Sequence, residues 1–289
     1  MTATNEPRPE TPAEVAETPE TVLRRYGEIA DGAIDIADAA LALALVDEPA
    51  TDIRPYRRHL AELARDTVAA IQDRPPTIDA MVAALNAVML TRHGYDGDAE
   101  TYNDLRNANL IHVVDRRRGL PVALGILYMH AARAAGWTIH GLNFPAHFLV
   151  RLDNGPERAV IDPFNRGRVR DAAGMRVLLK QVAGAKVELT PEHYRLVSDR
   201  MVLLRLHNNV KSRLMRLNRV AEAARAVDAM LWLAPSEPGL WREAGLMHAH
   251  LNNLRSAKAA LERALALGLP DKQRRDAEDA LSRLRARMN

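Results

Sequence analysis

The strongest constraint in the chain is a self-similarity at a spacing of 34 residues in its last third. One unit carries Trp241, Gly245, His248, Ala257, Leu261 and Ala264, with Pro270 close behind. Shifted back by that period, Lys211, Leu214, Ala223, Val227, Met230 and Pro235 fall at or next to the matching positions. Such a unit reads as two helices joined by a turn, and it buries its apolar face only by stacking on a neighbour. Residues 201–289 therefore predict about two stacked helix pairs, closed by a charged capping helix over Asp271–Met288. Trp232 and Trp241 belong to the packing between the pairs. The concave side of such a stack is a groove for an extended peptide or a partner helix, short here because the units are few.

The remainder divides by composition. Residues 1–20 hold Pro7, Pro9, Pro12 and Pro19 among five glutamates and predict a disordered acidic tail. Residues 21–95 predict an N-terminal helical subdomain, with apolar residues at helical spacing over Val22–Ala44 and Ile53–Gln72, and a further helix over Pro75–Thr91. Residues 96–200 change character: Gly119-Leu120-Pro121 opens a helix over Val122–Ala135, and short β-like runs follow at Thr138–Leu142, Phe148–Leu152 and Arg158–Ile161. The middle section is thus α+β. Asn154-Gly155 signals a two-residue hairpin loop. That loop sets Phe148 opposite Ile161, Val150 opposite Ala159 and His147 opposite Asp162, and it also sets Arg151 against Arg158, a like-charge pairing that argues against it.

Composition removes whole classes of chemistry. There is no Cys, so disulfides, thiolate metal sites and Cys nucleophiles are excluded. The balance of 40 basic against 37 acidic residues is too even to point to nucleic acid. No apolar run reaches the roughly 18 residues of a membrane span, and Met1–Glu20 lacks the apolar core of a signal peptide, so the expected location is the cytoplasm with no membrane partner. His248 and His250 stand two apart on a predicted helix, where a metal pair prefers three or four, and neither metal nor cofactor is expected.

Four phrases carry a resemblance. They are Tyr102-Asn103-Asp104-Leu105-Arg106-Asn107-Ala108-Asn109-Leu110, Arg116-Arg117-Arg118-Gly119-Leu120-Pro121, Asn143-Phe144-Pro145-Ala146-His147-Phe148-Leu149-Val150-Arg151 and Ile161-Asp162-Pro163-Phe164-Asn165. With the repeats behind them, they make the chain from about Leu60 to its end resemble the bacterial transglutaminase-like family with appended tetratricopeptide repeats, the SirB type. The resemblance implies a transglutaminase-like, papain-like α+β core. In that superfamily a Cys at a helix N-terminus, a His at the start of a strand and an Asp on the next strand act together: the helix lowers the thiol pKa, the His moves the proton and the carboxylate fixes the imidazole tautomer. By resemblance His147 and Asp162 take the last two roles. The nucleophile would fall near Pro121 to Ala123, where Pro121, Val122 and Ala123 offer no attacking atom, and no Ser precedes Ser198.

The expectation is therefore a non-catalytic protein whose cleft and repeats bind a protein or peptide partner in a regulatory or scaffold role. The alternative is a residual hydrolase or acyl-transfer enzyme working through the His147/Asp162 dyad, and the pair also has a plain reading as a structural hydrogen bond. Arg116, Arg117, Arg118, Asn143 and Asn165 are the candidate ligand-binding residues. The arginine run reads equally as solvated or paired, for instance with Asp115, while Arg166, Arg168 and Arg170 line either the same cleft or an exposed strand edge. Oligomeric state is left open.

Overall fold

The computed structural model describes residues 17–71 and 76–288. Most of the expected acidic tail, and Pro75, lie outside the described residues. The first helix, α1 (Pro19–Glu28), starts inside the segment expected as tail, where the Thr18 hydroxyl accepts from the Thr21 amide at 3.2 Å. The single helix expected over Val22–Ala44 is two. A 3-10 turn at Asp31–Ala33 separates α1 from α2 (Ile36–Asp47), and Asp35 caps α2 through the Ala37 and Asp38 amides. Asp competes for backbone donors and so starts a new helix better than it continues one. Because α2 is apolar on nearly every side from Ile36 to Ala44, it is buried along that length. Two further helices follow, α3 (Arg54–Ala70) and α4 (Ile78–Asn86), the latter capped by Thr77 and running into a π-helical turn at Ala87–Arg92.

The centre of the chain is mixed. Strand β1 (Asp96–Gly97), helix α5 (Leu110–Arg116) and strand β2 (Arg118–Gly119), parallel to β1, lead into helix α6 (Pro121–Ala134). An antiparallel sheet then forms from β3 (Thr138–Leu142), β4 (Val150–Asn154), β5 (Glu157–Asp162), β6 (Arg168–Val169) and β7 (Leu196–Val197), in the order β6-β5-β4-β3-β7. One face buries Ile139, Val150, Leu152 and Ile161 in the cluster that contains α6. The other buries Leu142, Leu149 and Val160 beneath α7 (Ala172–Ala183). Two glycines set the spacing between α6 and the sheet. A Cβ on Gly125 would lie 2.4 Å from Phe148 Cε1, and one on Gly141 would lie 2.7 Å from its Cζ, so the Phe148 ring occupies the volume both side chains vacate.

The hairpin register differs from expectation by two residues. Val150 faces Ile161, Leu152 faces Ala159, Asp153 faces Arg158 and Asn154 faces Glu157. The loop is thus Gly155-Pro156, with Gly155 at φ 60° as the first position of a II′-like turn, and the fixed negative φ of Pro156 suits the second. A two-residue shift keeps every side chain on its face. Charge decides between the two registers: the opposition of Arg151 to Arg158 is replaced by Asp153 against Arg158, and Arg151 bonds Asp153 at 2.9 Å.

The last third is helical throughout: α8 (Asp199–Arg216), α9 (Val220–Leu233), α10 (Pro238–His250), α11 (Leu254–Leu267) and α12 (Asp271–Met288). The periodic positions Ala223, Val227, Met230, Ala257, Leu261 and Ala264 are buried, and Trp241 donates its indole N–H to Pro235 O at 2.8 Å. This stack is continuous with the rest of the molecule. Helix α1 lies against α9, where a Cβ on Gly27 would meet Trp232 O at 2.3 Å, and α2 packs against α8 and α9. The Asp31 carboxylate accepts from the Asp199 and Arg200 amides at 2.6 and 3.1 Å, while Arg200 donates to the carbonyls of Tyr26, Ile29 and Leu233. One apolar cluster consequently runs from Val22 to Ala260. No described helix is long and apolar enough to cross a membrane.

Candidate functional site

Asp162 ends β5 and is fully buried, and its two oxygens take five hydrogen bonds. Oδ1 accepts from His147 Nε2 at 2.8 Å and from the Asn165 amide at 3.2 Å. Oδ2 accepts from Asn165 Nδ2 at 2.8 Å and from Arg170 Nε and Nη2 at 3.1 and 2.8 Å. Burial pushes this carboxyl up, but the bonds from His147, Asn165 and Arg170 outweigh it and hold the group below its ordinary value. Asp162 is therefore ionised and can only accept, which puts a hydrogen on His147 Nε2 and leaves Nδ1, in the neutral ring, as an acceptor.

His147 lies not on a strand but in the turn between β3 and β4, next to Ala146 at φ 55°. Arg205 of α8 holds that turn by donating Nη2 to Phe144 O at 2.7 Å and to His147 O. The imidazole is 6% exposed and meets the Phe164 ring edge-on at 5.9 Å. Nδ1 has no hydrogen-bond partner among the described residues and is not sealed from solvent. His147 lines a cavity of about 200 Å³, together with Tyr102, Leu120 to Val122, Ala146 and Phe148 of the same turn, and Arg205, Asn208 and Asn209.

Helix α6 starts at this cavity. Pro121 takes its first position, where the missing N–H costs nothing, and Leu120 at the N-cap offers no side-chain acceptor. The Val122 and Ala123 amides have no hydrogen-bond partner among the described residues. The helix N-terminus that would lower a nucleophile's pKa is thus beside the imidazole, and its first turn carries Pro, Val and Ala.

The other expected binding residues are engaged elsewhere, and none lines the cavity. Arg116 bonds Asp98 Oδ2 and Asn107 Oδ1, both at 2.9 Å. Arg117 ends α5 at φ 56°, and its guanidinium donates to Tyr95 Oη at 2.6 Å and meets His59 Nε2 at 2.7 Å. Arg118 is exposed and donates to Gly94 O at 3.2 Å. Asp115, the partner expected for the run, accepts instead from Tyr56 Oη at 3.0 Å. Asn143 donates to Glu192 at 3.1 Å, and Asn165 braces Asp162. Of the alternating arginines, Arg170 clamps Asp162, Arg166 pairs with Asp96 at 2.6 Å, and Arg168 is exposed on β6. Arg205, Asn208 and Asn209 had no local signal, since Arg205 is 58 residues from the turn it holds.

Comparison with known proteins identifies the class. The family model described as transglutaminase-like superfamily matches residues 54–208, and a tetratricopeptide-repeat model matches residues 210–289. The chain belongs to the transglutaminase-like superfamily and, more narrowly, to the UPF0162 proteins. A UPF0162 protein of Xylella fastidiosa is 32% identical over 246 residues, covering 82% of this chain and 85% of its own length. The SirB-type resemblance is compatible with that family. F-box only protein 21 of Mus musculus is 26% identical over 185 residues, 56% of this chain but 28% of its own length. The crystal structure of menin is similar at a TM-score of 0.40 and 9% identity, covering 91% of this chain and 73% of that one.

Proposed function

We propose that this protein is a non-catalytic member of its superfamily, a binding protein that takes a peptide or small ligand in the cavity at His147, with the tetratricopeptide repeats contacting a protein partner. The observation that carries it is the conjunction at the cavity: a helix N-terminus and an oriented imidazole are present, and the first residues of that helix, Pro121, Val122 and Ala123, have no nucleophilic atom. Acyl transfer through a covalent intermediate needs that atom. Binding does not. The regulatory or scaffold role and the cytoplasmic location expected of the chain belong to this same reading.

A second reading has its own support. His147 lines the cavity, and in the neutral ring its Nδ1 is an acceptor not sealed from solvent while Asp162 holds the ring, the arrangement of a general base that would activate water. Immobilised peptides and p-nitrophenyl acetate separate the two. Binding that is lost in His147→Gln, with secondary structure retained and ester turnover equal to buffer, supports the binding protein. Ester turnover lost in the same variant supports a hydrolase. Peptide binding indifferent to position 147 rejects the cavity as the site and leaves His147 a structural partner of Asp162.

A further inference from the structure

The cavity contains one full charge. Arg205 is the sole charged residue among those lining it, and no carboxylate pairs with it among the described residues. Its guanidinium gives Nη2 to two backbone carbonyls, which are neutral, and its other nitrogens make no hydrogen bond among the described residues and are not sealed from solvent. The first turn of α6 adds the positive end of a 14-residue helix with no capping side chain, and the Val122 amide, on the cavity lining, has no hydrogen-bond partner among the described residues. A guanidinium and a helix N-terminus together make a site for one anionic group.

The imidazole adds a different requirement. In its neutral form His147, 6% exposed, presents at Nδ1 an acceptor without a partner among the described residues, because Asp162 holds the hydrogen on Nε2. An acceptor beside an anion site repels a bare carboxylate and calls for a donor. A ligand that satisfies both carries a carboxylate and an N–H a few atoms apart. The last residue of a peptide has that pair, its α-carboxylate and its own backbone N–H.

From this geometry we infer that the cavity binds the free C-terminal residue of a peptide, or an N-acyl amino acid of the same chemistry. The carboxylate lies on the Val122 amide and Arg205, and the amide N–H donates to His147 Nδ1. This rests on the cavity being a binding site, and adds what it binds.

The test titrates the full chain, at millimolar concentrations, with N-acetylalanine, N-acetylalanine amide, acetate and N-acetyl-dialanine. Binding is followed by the nuclear magnetic resonance shifts of the Val122 amide and the His147 ring. N-acetylalanine is expected to move both and to bind at least about tenfold more tightly than acetate or the amide, the loss of one charge-assisted hydrogen bond. N-acetyl-dialanine binding more tightly still assigns the site to a peptide end, and equal binding assigns it to a free N-acyl amino acid. Arg205→Met removes the preference for the carboxylate. Because Arg205 also holds the β3–β4 turn, Asn208→Asp is the second variant: Asn208 is exposed on the cavity rim, and a negative charge there weakens N-acetylalanine by about tenfold while leaving the amide unchanged. Equal binding of N-acetylalanine and its amide at the same two residues overturns the carboxylate assignment and leaves the cavity a binding site. No shift with any of the four probes overturns the inference outright.

Discussion

At the scale of single residues, buried titratable groups set how the fold responds to acid. Burial is the first cause that lowers His59 and His207 from 6.5 to about 4, with the Arg117 guanidinium adding to it at His59. A depressed His contributes stability above pH 6.5 and loses it as the pH falls toward 4, on the order of 3 kcal/mol each. Burial raises Asp47 from 3.8 to about 6, which has the opposite sign and returns part of that loss over the same window. Stability should therefore fall between pH 6.5 and pH 4 in urea titrations. His207 is 2% exposed, and its Nε2 has no hydrogen-bond partner among the described residues. His207→Leu is expected to stabilise at pH 7 by about 1 kcal/mol and to flatten the acid limb; a variant that melts lower would reveal a partner for that nitrogen. Asp162→Asn acts differently, since it leaves the Arg170 side chain, 11% exposed, without its counter-charge. The expected cost is about 3–5 kcal/mol in chemical denaturation, and a loss near zero would mean that Arg170 finds solvent on its own.

At the scale of elements, the junction of α6 with the β3–β4 turn is the informative one. The chain has no Cys, so one introduced thiol reports on its surroundings without interference. In Val122→Cys the sulfur enters the first turn of α6 on the cavity wall, and its pKa should drop by about one unit or more from the free value near 8.5. The pH dependence of iodoacetamide alkylation measures it, and a thiol titrating at or above the free value would mean the helix end is not felt there. Gly125→Ala gains helix propensity but sets a methyl against the Phe148 ring, so a net loss of about 1–3 kcal/mol is expected. Thermal melting checks the sign. A gain would show that Phe148 gives way easily. The hairpin teaches a related lesson. Asn154-Gly155 is legible as a turn, but the loop sits one residue later, because Pro156 suits the second loop position and Asp153 opposite Arg158 suits the charges. Turn chemistry read alone leaves the two registers close, and cross-strand charge separates them.

At the scale of the whole molecule, the repeats cannot be detached. Helices α1 and α2 bury their apolar faces against α8 and α9, and Asp31 caps α8 across 168 residues of chain. A chain ending at Arg200 would expose the buried face of α2, and it is expected to be insoluble or unfolded by circular dichroism. Deleting α12 alone removes one wall of the separate cluster it forms with α11, so it should lower the melting temperature and leave the His147–Asp162 hydrogen bond in place. A folded, soluble 1–200 fragment would show that the two parts are independent units.

Local pattern determined much of this protein. The 34-residue period determined the helix pairs and the capping helix, because stacked units repeat the same burial at the same spacing. The residue types at Pro121, Val122 and Ala123 determined that no nucleophile stands at the head of α6, a matter of chemistry that no fold can change. Tertiary structure decided what neighbours do. His147 meets Asp162 through a turn and not through a strand ladder, Arg170 and not Arg116 supplies the guanidinium at Asp162, and Arg205 reaches the cavity from α8. Contacts between distant segments leave no periodic trace in the sequence, since they depend on where packed elements cross in space and not on the local order of residues.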